Sequence, residues 1–296
     1  MSLRPAAAAT TGALVGISAL VLSAAPAHAD TQRQTEQADP PRTVAHRGAS
    51  GHAPENTLAA VDKADKLGID WVENDVQRTK DGELVVIHDT TLDRTTNVEK
   101  VFPDRAPWNV SDFTAAEISR LDAGSWYGDA YKGAKIPTLK QYLNRLTQNN
   151  QKLLMELKSP AKYPGIESQT LKELSNEGWL DSGHVNGKLI IQSFDGGSVR
   201  KVHGLAPAVK TGYLGTPKVS ELKTYAQFSD QINPTYSTAS KDYVDAVHKV
   251  KGAHGKPLEA YTWTVNDAAT ARKVADAGVD GIISNYPDVV REETGG

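Results

Sequence analysis

The chain has 296 residues, no cysteine and a formal net charge of −3. The missing cysteines exclude disulfides, thiolate metal sites and a lipid-modified cysteine anchor. The mild acidity, with no basic or aromatic-basic cluster, excludes nucleic acid as the main partner.

The first segment reads as a secretory signal peptide. Arg4 precedes an apolar run over 12–22, and Ala27-His28-Ala29 supplies a small-x-small cleavage pattern. The run is shorter than the roughly 20 apolar residues of a membrane span, so a retained anchor is the weaker alternative. No twin arginine is present, which favours export in the unfolded state. Cleavage after Ala29 takes 29 from 296 residues and leaves 267, and the loss of Arg4 moves the formal charge from −3 to −4. A secreted protein without a stable membrane anchor is expected, in one large domain. Residues 30–42 (DTQRQTEQADPPR) are polar with two prolines and read as a flexible leader. The domain is expected over 43–296.

Strand-like apolar runs then alternate with helix-like ones. Strands are predicted at 43–46, 70–75, 152–157, 188–192, 209–214, 231–233, 258–262 and 281–284. Helices are predicted at 55–67, 139–148, 165–177, 197–203, 219–228, 241–251 and 268–277. Eight strands alternating with helices predict an α/β fold, a (β/α)₈ barrel of the TIM type. An open doubly wound sheet is the competing layout. No Gly-x-Gly-x-x-Gly or phosphate-binding Walker loop opens a helix, which weakens it.

The alternation breaks between the second and third strands. Thr79-Lys80-Asp81-Gly82 is a turn signal and 83–88 reads as a strand. So short a turn joins antiparallel neighbours, so this is a hairpin on the second strand and not a ninth barrel strand. Folding it back brings His88 near Glu73. The remainder, about 89–137, carries Trp108, Trp126, Tyr127 and Tyr131. It reads as an insertion over the barrel end that carries functional loops.

The chemistry-bearing residues fall at strand ends. Glu73 and Asp75 are two apart and share one strand face. Side by side in a barrel interior they would repel without a cation. Glu156 lies in the apolar run Leu153-Leu154-Met155-Glu156-Leu157 and is placed to be a third oxygen ligand. Lys158 shares its face and suits a phosphate oxygen; a plain Glu–Lys ion pair is the alternative. His46 ends the first strand and His88 the hairpin strand. An oxygen-rich site suits calcium or magnesium, which leaves the histidines for proton transfer near neutral pH. Arg47 can grip phosphate through two bonds, with a surface salt bridge as the alternative.

The order His46-Arg47-Gly48, Pro54-Glu55-Asn56-Thr57, Glu73-x-Asp75, Thr79-x-Asp81-Gly82, His88-Asp89 and Leu92-x-Arg94-Thr95-Thr96 closely resembles the glycerophosphodiester phosphodiesterase family. Glu156-x-Lys158, Gln192-Ser193-Phe194-Asp195 and Trp263-Thr264-Val265-Asn266 fit it too. The resemblance spans nearly the whole mature chain. It implies a TIM-type barrel with the hairpin and insertion above. It implies Glu73, Asp75 and Glu156 as ligands of one calcium or magnesium, His46 and His88 as the acid–base pair, and Arg47 and Lys158 on the phosphate. The expected reaction is hydrolysis of a glycerophosphodiester to an alcohol and glycerol phosphate.

Several alternatives stay open at this level. The attacking group is water or the substrate's own 2-hydroxyl, and either histidine can be the acid. Secretion tilts the cation toward calcium. Lysophospholipase D-type cleavage on the same core is the rival activity. Trp126, Tyr127, Tyr131, Phe194, Tyr213, Tyr261 and Trp263 either line a channel for an apolar chain or pack as core and rim. Trp263 either stacks on the glycerol or head group or is structural. A sphingomyelin-cleaving D-type branch is disfavoured by the intact 79–82 and 92–96 motifs. No Gly-x-Ser-x-Gly elbow and no His-Glu-x-x-His occur. A carboxylate-pair glycosidase would leave both histidines, Arg47 and Lys158 unused. The reading from another class is a secreted, non-catalytic binder of a phosphate ligand. No heptad or exposed apolar helix face stands out, so a monomer is expected.

Overall fold

The structure is a computed structural model that describes residues 39–296. The expected signal peptide and most of the leader lie outside the described residues.

Nine strands form one sheet: β1 (Arg42–Ala45), β2 (Trp71–Arg78), β3 (Leu84–Val86), β4 (Lys152–Leu157), β5 (Leu189–Ser193), β6 (Lys210–Leu214), β7 (Gln231–Asn233), β8 (Glu259–Thr262) and β9 (Gly281–Ser284). Eight are parallel. β1 pairs with both β2 and β9, which closes them into a barrel, and β3 is the antiparallel addition to β2. The barrel strands are buried on both faces, as parallel strands flanked by helices must be. Val44, Trp71, Leu154, Ile190, Tyr261 and Ile283 form one of the buried apolar clusters. Tyr261 is fully buried and its hydroxyl bonds Arg42, at the start of β1, so it packs in the core and lines no channel.

Most elements match their predicted positions. Four depart from the sequence reading. β2 runs three residues past the expected end, because Val76, Gln77 and Arg78 pair with Val86, Val85 and Leu84. The predicted helix 219–228 is a 3₁₀ turn, Val219–Glu221, and one α-turn, Leu222–Tyr225. A terminal helix, Pro287–Thr294, was not foreseen; its proline sits in the first turn, where the missing N–H costs nothing. The first helix begins at Leu58 and not at 55, because Asn56 has φ +58° and Thr57 is the cap, accepting from the Ala60 N–H.

The insertion has a core of its own. Leu92, Val98, Val110, Phe113, Ile118, Leu121 and Ile136 pack with Val85 and Ile87 of the hairpin. The hairpin is therefore the shared wall between insertion and barrel. Its turn is held by the Thr79 hydroxyl, which donates to Asp81 at 2.6 Å, with Gly82 at φ +92°.

The turn after β1 is tightly packed. Gly48 has φ +78°, and a Cβ there would stand 2.5 Å from the Ala60 Cβ and 2.7 Å from its carbonyl carbon. Gly48→Ala is expected to cost about 3 kcal/mol from combined strain and overlap. A urea midpoint unchanged from the parent would show that the turn can relax.

Candidate active site

The C-terminal ends of β1, β2 and β4 converge on one mouth of the barrel. Glu73, Asp75 and Glu156 are all buried there, and each offers an oxygen within 4.8 Å of the others. The pairing register explains the convergence. Asp75 stands beside Glu156 across the β2–β4 pair, and Glu73 lies one pleat below on the same face.

Arg47 and Lys158 are drawn into this cluster. The Arg47 guanidinium reaches Glu55 at 3.0 Å and Asp75 at 3.3 Å. Lys158 Nζ lies 3.0 Å from Glu156 and 3.9 Å from Asp75. The Asn56 amide donates to Asp75 at 2.8 Å. Arg47 adopts φ +53°, and its backbone N–H then donates to the Glu73 carboxylate at 2.9 Å, while the Gly48 N–H meets the Glu73 carbonyl at 3.2 Å. Strain at Arg47 thus holds a carboxylate of the triad in place.

The three carboxylates respond differently. Burial, then Asp75 and Glu156, push Glu73 well above the ordinary carboxylate range. Burial and Asp75 push Glu156 up to about 8 despite Lys158. Asp75 feels the same burial, but Arg47, His88 and Lys158 outweigh it and hold its carboxyl down. Ionised together, the three acids would outnumber the two side-chain cations by one, and in the protein alone Glu73 and Glu156 are pushed toward their protonated forms instead. That donor set, all oxygen and short of positive charge, fits one hard cation.

Both histidines border the same cleft, a cavity of about 90 Å³ that is also lined by Arg47, Glu73, Glu156, Lys158 and Trp263. His46 Nδ1 is 2.6 Å from the Asn285 amide oxygen, and its Nε2 is 3.9 Å from Glu73. Burial, then Arg47, bring His46 down to about 4, so it is neutral at neutral pH. His88 Nδ1 is 2.6 Å from Asp89. Asp89 is in turn held by Arg94, which also grips Glu55 at 2.7 and 3.0 Å. Each ring is thus tethered through Nδ1, which leaves Nε2 for proton transfer.

The aromatic set divides. Phe194 and Trp263 line the cleft, edge to face at 5.4 Å, with Trp263 Nε1–H donating to the Asn233 carbonyl at 2.9 Å. Tyr213 packs on Tyr225. Trp126, Tyr127 and Tyr131 pack on one another, and the Tyr131 hydroxyl donates to the His52 carbonyl. Sequence reasoning did not find Asn285, the partner of His46, or Gln77, whose amide meets the carbonyls around His88. Neither residue type signals such a role, and their partners lie 239 and 10–12 positions away. Glu55 and Arg94 stand within motifs, but only the folded chain joins Arg47 to Asp89 through them.

Residues 46–289, which span the whole of this site, match the model of the glycerophosphoryl diester phosphodiesterase family. The chain belongs to this family. A glycerophosphodiester phosphodiesterase of Bacillus subtilis is 39% identical over 264 residues, covering 83% of this chain and 84% of its own. One from Caldanaerobacter subterraneus subsp. tengcongensis is 36% identical over 250 residues, covering 83% and 95%. Among solved structures, an Oleispira antarctica phosphodiesterase in complex with the product sn-glycerol-3-phosphate superposes with a TM-score of 0.70 at 29% identity, covering 87% of this chain and 98% of its own.

The buried triad makes stability depend on pH and cation. Glu156 ionises near 4.5 when unfolded and near 8 in the folded, cation-free site. Between these values the folded state holds the extra proton, so this stabilisation is full below the lower value and lost as pH rises through the upper one. Chelated protein is expected to melt at a lower temperature at about pH 8 than at about pH 5, and added divalent cation to reverse the loss. Calorimetry checks this; indifference to both pH and cation would mean that the triad is satisfied without an ion.

Proposed function

We propose that the protein is a secreted, cation-dependent enzyme that hydrolyses glycerophosphodiesters to an alcohol and glycerol phosphate at this barrel mouth. The observation that carries the reading is the cleft in which two Nδ1-tethered histidines face a buried carboxylate triad and two side-chain cations.

Glu73, Asp75 and Glu156 would hold one divalent cation, calcium in preference to magnesium because a secreted chain meets calcium outside the cell. When bound, that ion supplies positive charge against the phosphate oxygens of the transition state. Arg47 and Lys158 set two further charges along the same cleft for those oxygens. His46, kept neutral by burial and by Arg47, is suited to take a proton at Nε2. His88 is suited to give one to the departing alkoxide, with Asp89 orienting the ring and stabilising its charge. Trp263 and Phe194 form an apolar wall on which the glycerol or head group can rest.

The cleft volume favours short, water-soluble diesters. A second reading, cleavage of lysophospholipids, draws on Phe194, which is 47% exposed beside Trp263 at the rim. No helix among the described residues is long and apolar enough to cross a membrane, and the expected state is a monomer.

Alcohol release from glycerophosphocholine and from lysophosphatidylcholine, measured side by side with and without chelator, separates these readings. Cation-dependent release from the short diester is expected. Release from the lysolipid alone would favour the second reading. Cation binding with release from neither would sustain only a binding protein. His46→Ala and His88→Ala are each expected to lower turnover by about 100- to 10,000-fold with the fold intact by circular dichroism. Near-normal turnover in either variant would remove that histidine from the mechanism. For export, protein recovered from the medium is expected to begin at Asp30; a chain kept in the cell with its first 29 residues would overturn it.

A further inference from the structure

We infer that Gln77 is a positioning residue for His88, holding the backbone on which that histidine stands; the inference rests on the acid–base reading of His88 above. Gln77 lies on β2 two residues beyond Asp75, on the same face of the strand. Its side chain is fully buried. The amide nitrogen sits 2.9 Å from the carbonyl of Ile87, 3.0 Å from that of His88 and 2.7 Å from that of Asp89. An amide has two N–H donors, so three successive carbonyls share them.

The hairpin gives this contact its importance. Pairing of β2 with β3 ends at Val76 and Val86, and the Ile87 N–H makes one more bond, to the Asp75 carbonyl, at 2.9 Å. His88 and Asp89 lie beyond the ladder, where the chain turns into the insertion. There the Gln77 amide takes over the work of the ladder.

The orientation of that amide is determined by a second buried group. The Tyr163 hydroxyl, on the loop after β4, donates to Gln77 Oε1 at 2.8 Å. A flipped amide would set its oxygen against three carbonyl oxygens and its nitrogen against a donor. Burial pushes the Tyr163 phenol up to about 12, so it remains a donor through the neutral range. An apolar side chain would fill the same volume, so packing alone does not call for glutamine. The ring of His88 is fixed separately, through Asp89 and Arg94. Backbone and ring are thus anchored from two directions, and proton transfer is sensitive to displacements well under 1 Å.

Gln77→Met keeps the volume and removes both donors. Its turnover of a glycerophosphodiester is compared with that of His88→Ala, the double variant and Tyr163→Phe, all at saturating cation. Gln77→Met is expected to lower kcat about 10- to 100-fold, with KM and cation affinity within about twofold of the parent. In the double variant the glutamine change is expected to add no loss to that of His88→Ala, because it acts through that side chain. Tyr163→Phe is expected to lower kcat about threefold, again only while His88 is present. Unchanged kcat in Gln77→Met overturns the inference, as does a loss that multiplies with that of His88→Ala or one confined to cation affinity. If Gln77→Met does not fold, Tyr163→Phe decides by the same comparison: a loss that vanishes on the His88→Ala background supports the clamp, and unchanged kcat overturns it. His88→Ala inactive beside a fully active Gln77→Met overturns the clamp alone, whereas near-normal turnover of His88→Ala removes the acid–base reading and the clamp with it.

Discussion

Three carboxylates buried within reach of one another dominate this molecule. Glu73, Asp75 and Glu156 cannot all carry charge in a barrel mouth without compensation. Much of the surrounding structure supplies it. Arg47 bends into a left-handed conformation to offer its N–H to Glu73 and its guanidinium to Asp75. Asn56 does likewise from the next turn, and Gly48 lets the first helix close over both. Ionised together, the three would still lack one positive charge, and an all-oxygen donor set of that kind fits a hard cation.

The second constraint is the placement of two imidazoles around that charge. They are anchored by different chemistry. His46 meets a neutral amide, Asn285, in a buried setting that keeps it uncharged. His88 meets a carboxylate that is itself held by Arg94 and, beyond it, Glu55. The same Glu55 also holds Arg47, so one continuous set of ion pairs runs from His88 and Asp89, just past the hairpin, to the triad. The insertion, with its own apolar core on the hairpin, supplies Arg94 and keeps this set in register.

Local pattern carries the barrel a long way. Strand two shows why the pattern is sufficient for existence and not for extent: Trp71 to Asp75 read as a buried strand on composition, while Val76 also pairs with Leu157 of β4 and with the hairpin, and Gln77 and Arg78 are strand through the hairpin. The terminal helix escaped notice because its apolar face is short, Val289 and Val290, and its start is a proline. The aromatic residues were ambiguous for a related reason. Composition gives a tyrosine no address, and Tyr261 within β8 and Trp263 just past its end lie in the core and at the rim.

By itself the sequence determined the alternating strands and helices, the export signal as an expectation, and the identity of the charged residues at strand ends. These depend on short-range periodicity and on residue chemistry, both of which are written locally. Only the tertiary structure decided which groups meet. It set Asp75 beside Glu156 through strand register, gave His46 its Asn285, and placed Gln77 under the carbonyls of His88. Barrel closure brings together residues as far apart as 239 positions, and no local pattern encodes the partner of a hydrogen bond.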